Sequence, residues 1–532
     1  MMEKRKYIAI YFSKLVKLSI DGERKEDMMG VKRIPLWKEN SKIKDFPQLK
    51  NNEKTDVVVV GAGLTGVTTA YLLATNGVKV ILVDREEIGH GTTGHTTAKI
   101  TAQHGMIYNE FISHFGKEQA LLYFQSQVDA MTRMEKIIKD LAIECHFEKQ
   151  DAYLFTNDEK NQRKLESEFE AYQTLDIDGE GLLELPINFP MKYALKMRDQ
   201  AQFHPMYYLK ALVDEIIKHG GKIYEKTPIY DIDSTDHRVV RALNQNTIVC
   251  DHVVIATHFP FYEGEALYSA RMYPSRSYVA GFSSDVKYPG GMYLSVDNPT
   301  RSLRSIIHNE QEIWLLGGED HKTGQYQNNT MPYSLLKDFG EANFSVKEWQ
   351  YEWSAQDYIT LDKLPYIGRL NKNRPEIFVA TGYRKWGMTN SMVAANIISG
   401  LILQKDNPYI DLYRSNRFHA DPDLKQFIST NTNVAKEFVT GKIVSEKQDM
   451  KQLKTNSATK VKHHGQTIGL FKDMQGKVHA VDTTCTHLGC EVNWNNTEKT
   501  WDCPCHGSRF EYNGDVVEGP AIEPLNKIDF SN

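Results

Sequence analysis

Four cysteines and two histidines near the C-terminus form the pattern with the most specific chemistry in this sequence. The segment Cys485-Thr-His-Leu-Gly-Cys490 is followed, twelve residues later, by Cys503-Pro-Cys-His506. Two half-sites of this type present two thiolates and two imidazoles, the side chains that bind transition metals most often. The spacing therefore predicts a metal centre with the ligands Cys485, His487, Cys503 and His506.

Two kinds of metal centre use two cysteines and two histidines. In a Rieske 2Fe–2S cluster the thiolates bind one iron ion and the imidazoles bind the other. A structural zinc ion accepts the same four ligands. The additional residues Cys490 and Cys505 are not needed by zinc, and the spacing matches the Rieske pattern in full. The sequence thus favours the 2Fe–2S cluster, with zinc as the alternative.

This segment resembles the Rieske proteins of cytochrome bc complexes more closely than the Rieske domains of ring-hydroxylating oxygenases. The resemblance implies a disulfide between Cys490 and Cys505, and residues 519–525 resemble the proline loop that covers the cluster. Ser508 matches a serine that donates a hydrogen bond to a cluster sulfide, whereas the tyrosine that follows it in the family is Phe510 here. Because hydrogen bonds to sulfur favour the reduced cluster, we expect a reduction potential below that of the bc-type proteins.

A glycine-rich turn in the first hundred residues indicates a dinucleotide-binding site. Four valines, residues 57–60, predict a buried strand, and Gly61-x-Gly63-x-x-Gly66 leads from it into an apolar helix. A second strand ends at Asp84. Gly61 permits the tight turn, Gly63 lets the backbone approach a pyrophosphate, and Gly66 lets the helix pack close to the strand. Asp84 would bind the ribose hydroxyls. In this context dinucleotide binding is favoured over an ordinary turn.

Three further segments have compositions that suit a flat ligand. Residues 89–101 are rich in glycine and threonine, which predicts ligand contact, with a solvated loop as the alternative. Residues 251–258 predict a buried strand that ends in small and polar residues. The strand 377–381 leads into a turn over residues 382–388, and a small-residue helix is predicted from Thr389 to Leu403. The N-terminus of that helix would direct partial positive charge at a ligand in the turn.

This order of motifs resembles the D-amino-acid oxidase/glycine oxidase family of FAD-dependent amine oxidoreductases over residues 55–405. The resemblance implies a doubly wound α/β FAD domain, interleaved with a substrate domain that carries an antiparallel sheet, ahead of the small all-β Rieske domain. It also implies hydride transfer from the substrate to the flavin. We predict FAD contacts at Gly61, Gly63, Leu64, Thr65, Gly66, Asp84, Arg85, Gly91, Thr92, Thr93, His95, Thr96, Ala256, Thr257, Gly382, Trp386, Gly387 and Met388.

Several single residues have two readings each. His95 lies where relatives similar to dimethylglycine dehydrogenase carry a covalent flavin link, and the alternative is a histidine hydrogen-bonded to phosphate or backbone. Arg301 and Arg304 could clamp a substrate carboxylate, or they could be exposed residues on a sheet edge. Lys385 could line the flavin edge or lie on the surface. No catalytic acid or base is assigned.

Composition sets the broad class of the protein. With 532 residues, 41% apolar and 25% charged, and a formal charge of −5, the chain is typical of a large globular protein. We find no basic run for nucleic acid, no apolar run of membrane-spanning length and no secretory signal, and so we predict a cytoplasmic protein.

The predicted domains are residues 1–54 (tail and lead-in), 55–405 (oxidoreductase: FAD part 55–110, 200–265 and 355–405; substrate part 111–199 and 266–354), 406–450 (linker with a helix near Leu424–Phe438) and 451–532 (Rieske).

The combination of motifs resembles a small group of bacterial proteins that join an oxidase-like flavoprotein to a Rieske domain. A flavin accepts two electrons as hydride, while the cluster passes them on singly. The leading hypothesis is a dehydrogenase: an amine or amino acid reduces FAD, and electrons leave through the cluster to a separate protein or quinone. The alternatives are electron flow from cluster to flavin, a non-catalytic electron-transfer module, and an oxidase that uses oxygen.

Overall fold

The computed structural model carries side chains for most of the chain. The residues it describes are 30–39, 41, 43–187, 190–233, 238–325, 331–417, 427, 430–434, 437 and 453–529. Residues 1–29 of the predicted tail and lead-in lie outside them. Most of the predicted linker helix also lies outside them, and the described residues between 427 and 437 are helical.

A six-stranded sheet forms the centre of the first region. Its strands, in spatial order, are Tyr366–Asn371, Arg374–Thr381, His252–Ile255, Val57–Val60, Val80–Val83 and Lys222–Tyr224. All neighbouring pairs are parallel except the first. The central strands are short runs of valine, isoleucine and leucine buried on both faces, as is typical of a parallel sheet covered by helices.

Helices cover this sheet and connect it to the rest of the region. Leu64–Ala74 packs against both Pro205–Lys218 and Gly387–Ile402. The remaining helices are Tyr108–Phe115, Lys117–Asp140, Glu159–Thr174, Tyr268–Arg271, Pro332–Asn343 and Ile410–Tyr413, with short 3₁₀ turns at Leu36–Lys38 and Thr92–His95. We predicted that the last long helix begins at Thr389. The prediction was wrong by two residues, because the helix begins at Gly387. Glycine is a weak helix former, but it is tolerated in a first turn that packing holds in place.

A nine-stranded sheet stands beside the parallel one. Its strands, in spatial order, are Val346–Thr360, Met272–Ser284, Gln311–Lys322, Arg301–His308, Met292–Ser295, Glu148–Thr156, Tyr193–Gln202 and Lys99–Ile100, with Gly179–Leu182 paired to Tyr193–Gln202. Only the pair Met292–Ser295 and Glu148–Thr156 is parallel. A separate four-stranded sheet contains Glu53–Lys54, Thr247–Cys250, Arg238–Ala242 and Ile229–Asp233. The predicted doubly wound sheet beside an antiparallel sheet is confirmed.

Two small antiparallel sheets form the C-terminal region. The first contains Ser457–His463, Gln466–Lys472 and Val478–Asp482, and the second contains Asn493–Asn495, Thr500–Asp502, Arg509–Glu511 and Val516–Glu518. The predicted all-β fold of this region is confirmed. The two cysteine-containing loops, over residues 485–490 and 503–508, lie at the ends of short strands of these sheets.

Candidate functional site

A cavity of about 550 Å³ opens at the carboxyl ends of the parallel strands. Its walls include Gly61 after the first valine strand, Asp84 after the second strand and Ala256 after the third. In open α/β sheets, ligands bind in the crevice outside the carboxyl ends of the strands. The cavity continues between the parallel sheet and the nine-stranded sheet, where residues such as Ser302 and Gly317 line it.

The glycine turn has the backbone geometry that its spacing predicted. Gly61 has a φ of +104°, and a Cβ atom there would lie 2.4 Å from the carbonyl oxygen of Ala256. At Gly66 a Cβ atom would lie 1.8 Å from the carbonyl oxygen of Gly61. No other residue type fits either position without moving backbone. The first glycine thus allows the turn, and the third allows the helix to approach the strand.

Asp84 is held in place by backbone donors. Its carboxylate accepts hydrogen bonds from the N–H groups of Ala62, at 2.5 Å, and Glu86, at 2.8 Å. Burial raises the pKa of Asp84, and the two backbone hydrogen bonds oppose that rise. The carboxylate therefore links the glycine turn to the next strand and lies on the cavity wall.

Most of the residues predicted to contact FAD line this cavity. They are Gly61, Gly63, Leu64, Thr65, Asp84, Arg85, Gly91, Thr92, Thr93, His95, Thr96, Ala256, Thr257, Trp386, Gly387 and Met388. Gly66 and Gly382 lie behind the wall: Gly382 has a φ of +77°, and a Cβ atom there would lie 2.4 Å from Thr360 Cγ2. These two glycines shape the backbone that other residues present to the cavity.

His95 makes a backbone hydrogen bond within the glycine- and threonine-rich loop. Its Nδ1 lies 2.8 Å from the carbonyl oxygen of Gly91, so that Nδ1 is the donor of this pair. Burial lowers the pKa of His95 well below its ordinary value. The ring is thus a neutral imidazole on the cavity wall, and its Nδ1 is held by the backbone.

The two arginines considered for a substrate clamp have other partners. Arg301 pairs with Glu319 at 2.5 Å and stacks over Phe339. Arg304 is fully buried and donates to the carbonyl oxygens of Thr97 and Ala98. Both alternatives for these arginines were wrong: they do not form a substrate clamp, and they do not lie on an exposed sheet edge. Strand pairing directs both guanidinium groups into the protein. Lys385 does line the cavity, 3.4 Å from Asp320.

Three cavity residues lie in segments predicted to contact a ligand but were not named individually as FAD contacts: Lys99, His258 and Tyr383. Three others were missed by the sequence analysis: Phe259, Gln356 and Tyr358. Lys99 Nζ donates to the carbonyl oxygen of Tyr293 at 2.8 Å and to Ser302 Oγ at 2.7 Å. Phe259 directly follows the segment that the sequence matched at residues 256–258, which was the one available signal. Gln356 and Tyr358 lie in a long strand with no motif.

The two predicted thiolate ligands meet in the C-terminal region. Cys485 and Cys503 are both buried free cysteines. The Cys503 thiol hydrogen-bonds the Cys485 sulfur, which lowers the pKa of Cys485 and raises the pKa of Cys503, and Ser508 contributes a further hydrogen bond to Cys485. The two sulfur atoms therefore lie close enough to bind one metal ion as thiolates, the form that metal ligation requires.

The two predicted imidazole ligands lie edge to face. The ring centroids of His487 and His506 are 5.1 Å apart. Burial lowers the pKa of each histidine to about 4, so both rings are neutral at pH 7. Their Nδ1 atoms are buried and have no hydrogen-bond partner in the described part of the chain. Orphaned buried nitrogens are rare in proteins, and a metal bound at Nδ1 accounts for both of them.

The spread of the donor atoms separates the two metal alternatives. Cysteine, histidine and acidic side chains could bind a metal where their donor atoms lie close together. Among the described residues, one such group has all donor atoms within 4.8 Å of one another: Cys490, Cys503 and Cys505. Cys490 and Cys505 are joined in a disulfide, as the resemblance implied. A single tetrahedral zinc ion, with bonds of about 2.0–2.3 Å, needs all of its donors within about 4 Å of one another. Of the four predicted ligands, only Cys503 belongs to the compact group, so the described residues do not bring the four donors together as one zinc ion requires.

The histidine loops pack directly against the wall of the large cavity. The ring of His487 contacts Phe259, with centroids 5.8 Å apart. Tyr358 Oη lies 3.0 Å from the carbonyl oxygen of His506, and Gln356 Nε2 donates to the carbonyl oxygen of Gly507 at 2.9 Å. A Cβ atom at Gly507 would lie 2.6 Å from Pro274 Cβ. The C-terminal region and the first region therefore pack so closely that side chains of one contact the backbone of the other.

Comparison with known proteins assigns both regions. The profile of a family described as FAD dependent oxidoreductase matches residues 56–401, and that of a Rieske 2Fe-2S domain matches residues 443–529. A Bacillus subtilis protein described as the Rieske 2Fe-2S iron-sulfur protein YhfW is 44% identical over 493 residues, covering 93% of this chain and 97% of that protein. The cytochrome b6-f complex iron-sulfur subunit 1 of a Nostoc species is 49% identical over 47 residues, covering 9% of this chain and 26% of that subunit.

Solved structures share the fold of the first region. Glycine oxidase from Geobacillus kaustophilus superposes with a TM-score of 0.59 at 17% identity, covering 69% of this chain and 100% of that one. The gamma-glutamylputrescine oxidoreductase of Escherichia coli is 22% identical over 386 residues, covering 68% of this chain and 87% of that protein. Within the described residues, none of the helices has the length and apolar character needed to cross a membrane.

Proposed function

The chain belongs to the family of FAD-dependent oxidoreductases and carries a C-terminal Rieske 2Fe–2S domain. Because both cofactors transfer electrons, we propose that the protein is a dehydrogenase. It oxidises the C–N bond of an amine or amino acid and passes the electrons singly through the cluster to an external acceptor. FAD and the 2Fe–2S cluster are its cofactors. The cluster ligands are Cys485, Cys503, His487 and His506.

The observation that carries this proposal is the contact between the histidine face of the cluster site and the flavin cavity. His487 packs on Phe259 and the His506 carbonyl oxygen accepts from Tyr358; both aromatic residues line the cavity. A histidine-ligated cluster has a higher reduction potential than a plant-type ferredoxin cluster. The contact supports transfer between the two sites, and the higher potential of a histidine-ligated cluster supports the direction from the flavin to the cluster.

The end of the cavity beside the nine-stranded sheet suits a small polar substrate. Lys99 and Lys385 supply two amino groups there, and Ser302 and Asp320 supply polar partners. The flavin, when bound, accepts the hydride. These side chains orient the donor. An amine or amino acid is the class of donor named for glycine oxidase and for the gamma-glutamylputrescine enzyme.

The experiment that tests the proposal is an anaerobic titration of the full-length protein with a panel of amines and amino acids. Optical spectra follow the flavin and EPR follows the cluster. We expect one donor class to bleach the flavin, after which a Rieske EPR signal develops. A Cys485→Ser variant should still bleach but give no signal, which separates substrate oxidation from onward transfer.

Other outcomes would replace this function with another. If only dithionite reduces both centres, electron flow from a substrate to the cluster is excluded for the panel, and a reductive or non-catalytic role takes its place. Stoichiometric peroxide in air, without cluster reduction, would indicate an oxidase. Cell fractionation tests the proposed cytoplasmic location, and reduction of quinones or small electron-transfer proteins tests the acceptor.

A further inference from the structure

One wall of the flavin cavity comes from the Rieske domain itself. Besides Arg509, the loop over residues 517–522 lines the cavity through Val517, Glu518, Gly519, Pro520 and Ile522. We propose that this loop is part of the FAD-binding site, so that FAD binding and docking of the Rieske domain stabilise each other. This inference is independent of the substrate and of the direction of electron flow.

The loop lies at the nucleotide end of the cavity. Arg85, the neighbour of Asp84, donates from Nη2 to the carbonyl oxygen of Val517 at 3.3 Å. A methyl group added at Gly519 would lie 3.8 Å from Arg85 Nη1, which is ordinary contact. The loop thus approaches the acid that is predicted to bind the adenosine ribose. Its apolar side chains and backbone groups suit a nucleoside face.

The charge of the loop is neutralised where it faces an anionic cofactor. Glu518 Oε2 lies 2.7 Å from Arg276 Nη2, and the Arg276 side chain is 1% exposed. A free carboxylate at this position would repel the FAD diphosphate, whereas the ion pair with a buried guanidinium does not. Arg276 belongs to the nine-stranded sheet, so the same pair fixes the loop to the first region.

A second contact, made by Tyr358, fixes the loop over residues 517–522 to the first region. Tyr358 Oη lies 3.2 Å from the carbonyl oxygen of Gly519 and 3.0 Å from that of His506. The hydroxyl therefore joins the FAD-facing loop and the histidine loop to one strand of the first region. A ligand that touches only the docked loop binds the docked arrangement more tightly, and by linkage it strengthens docking by the same factor.

The test compares two glutamate substitutions in the full-length protein. Ile522→Glu places a carboxylate on the cavity wall, whereas Val478→Glu places one on an outer strand of the same domain, where the valine is 43% exposed. After removal of FAD, fluorescence titration should give a dissociation constant at least tenfold higher for Ile522→Glu and unchanged for Val478→Glu. Both variants should keep the wild-type Rieske EPR spectrum, which shows that the domain is folded.

A measurement on the unmodified protein covers the case in which Ile522→Glu does not fold. Hydrogen exchange of the amides at residues 517–522 should slow when FAD is added to the FAD-free protein. Exchange that is the same with and without FAD would overturn the proposal, as would a wild-type dissociation constant in Ile522→Glu. Neither readout involves turnover, so a failure here is distinct from a failure of the dehydrogenase proposal.

Discussion

Tyr358 Oη lies 3.0 Å from the backbone carbonyl oxygen of His506. The tyrosine is fully buried and lines the flavin cavity, and the histidine is a proposed ligand of the cluster. One hydroxyl therefore connects the cluster site to the wall of the FAD cavity within a single chain. The distance between the sites is set by packing, because the ring of Phe259 fills the neighbouring space beside His487.

Removing that hydroxyl tests the connection. We expect Tyr358→Phe to lower the free energy of unfolding by about 1 kcal/mol, the value of a typical buried hydrogen bond, and to slow electron transfer from flavin to cluster. A light pulse that reduces the flavin, followed by cluster absorbance, measures the transfer rate. Tyr413→Phe is the matched control, since Tyr413 is equally buried and hydrogen-bonded to Ser126 and Gln127. An unchanged rate in Tyr358→Phe would refute the connection.

Flavin binding should depend on space at the first glycine. Gly61→Ala forces a Cβ atom to within 2.4 Å of a backbone oxygen at a φ of +104°, so we expect the protein to purify without FAD. Gly77 also has a positive φ, +81°, but nothing lies within 4 Å of its added Cβ. Gly77→Ala should therefore cost only about 1–2 kcal/mol of stability and keep the yellow flavin spectrum. Loss of FAD from both variants would mean that strain, not the cavity, explains the first result.

The metal centre should be lost when Cys485 is replaced and retained when Cys250 is replaced. Cys485→Ser removes a proposed ligand, and we expect the iron content to fall from two ions to none and the Rieske EPR signal to vanish. Cys250→Ser alters a buried free cysteine in the first region and should keep both. Iron analysis and EPR measure the outcome. One zinc ion per chain in the wild-type protein, in place of iron, would contradict the assignment.

The cluster potential should respond to a single hydroxyl. Phe510 is fully buried two residues after Ser508, and Phe510→Tyr would add a donor of the kind that favours the reduced cluster. A hydrogen bond of about 1 kcal/mol corresponds to a rise of about 40 mV in a one-electron potential. A redox titration monitored by EPR checks the shift, with Trp501→Phe as the control for altered packing. A lower or unchanged potential would show that the hydroxyl does not reach the cluster.

The buried lysine of the cavity should make stability depend on pH. Burial, with a contribution from Arg304, lowers the pKa of Lys99 to about 7 from its ordinary 10.5. Between those values the unfolded chain holds a proton that the folded chain lacks, so stability rises with pH. We expect wild type to gain free energy of unfolding relative to Lys99→Met from pH 7 to pH 10. The matched variant Lys385→Met alters a lysine paired with Asp320 and retains Lys99, so its free energy of unfolding should rise with pH in parallel with wild type in denaturant unfolding.

The sequence predicted the parts of the site that depend on neighbouring residues. Gly61, Gly66 and Asp84 fall within one strand–turn–helix–strand unit, and the cysteines and histidines of the metal centre fall within two short loops. In each case spacing along the chain fixes spacing in the fold, because a turn or a tight loop leaves little freedom. The helix start at Gly387 was missed because packing overrides a weak local preference.

Residues that are brought together by the tertiary fold could not be predicted. Tyr358 and His506 are far apart in sequence, and no pattern in the long strand Val346–Thr360 marks its tyrosine. Arg301 has its partner Glu319 on the neighbouring strand Gln311–Lys322. Strand order and register decide whether such an arginine meets a substrate or an acid of the protein, and neither can be read from one sequence.

The wall that the loop over residues 517–522 contributes to the cavity also bears on how the protein matures. By the linkage proposed above, FAD that binds the docked loop stabilises the docked arrangement. A cell short of riboflavin would then accumulate chains whose iron–sulfur region docks less tightly and whose cluster loops are more exposed to oxidants. Supply of one cofactor would thus affect the lifetime of the other.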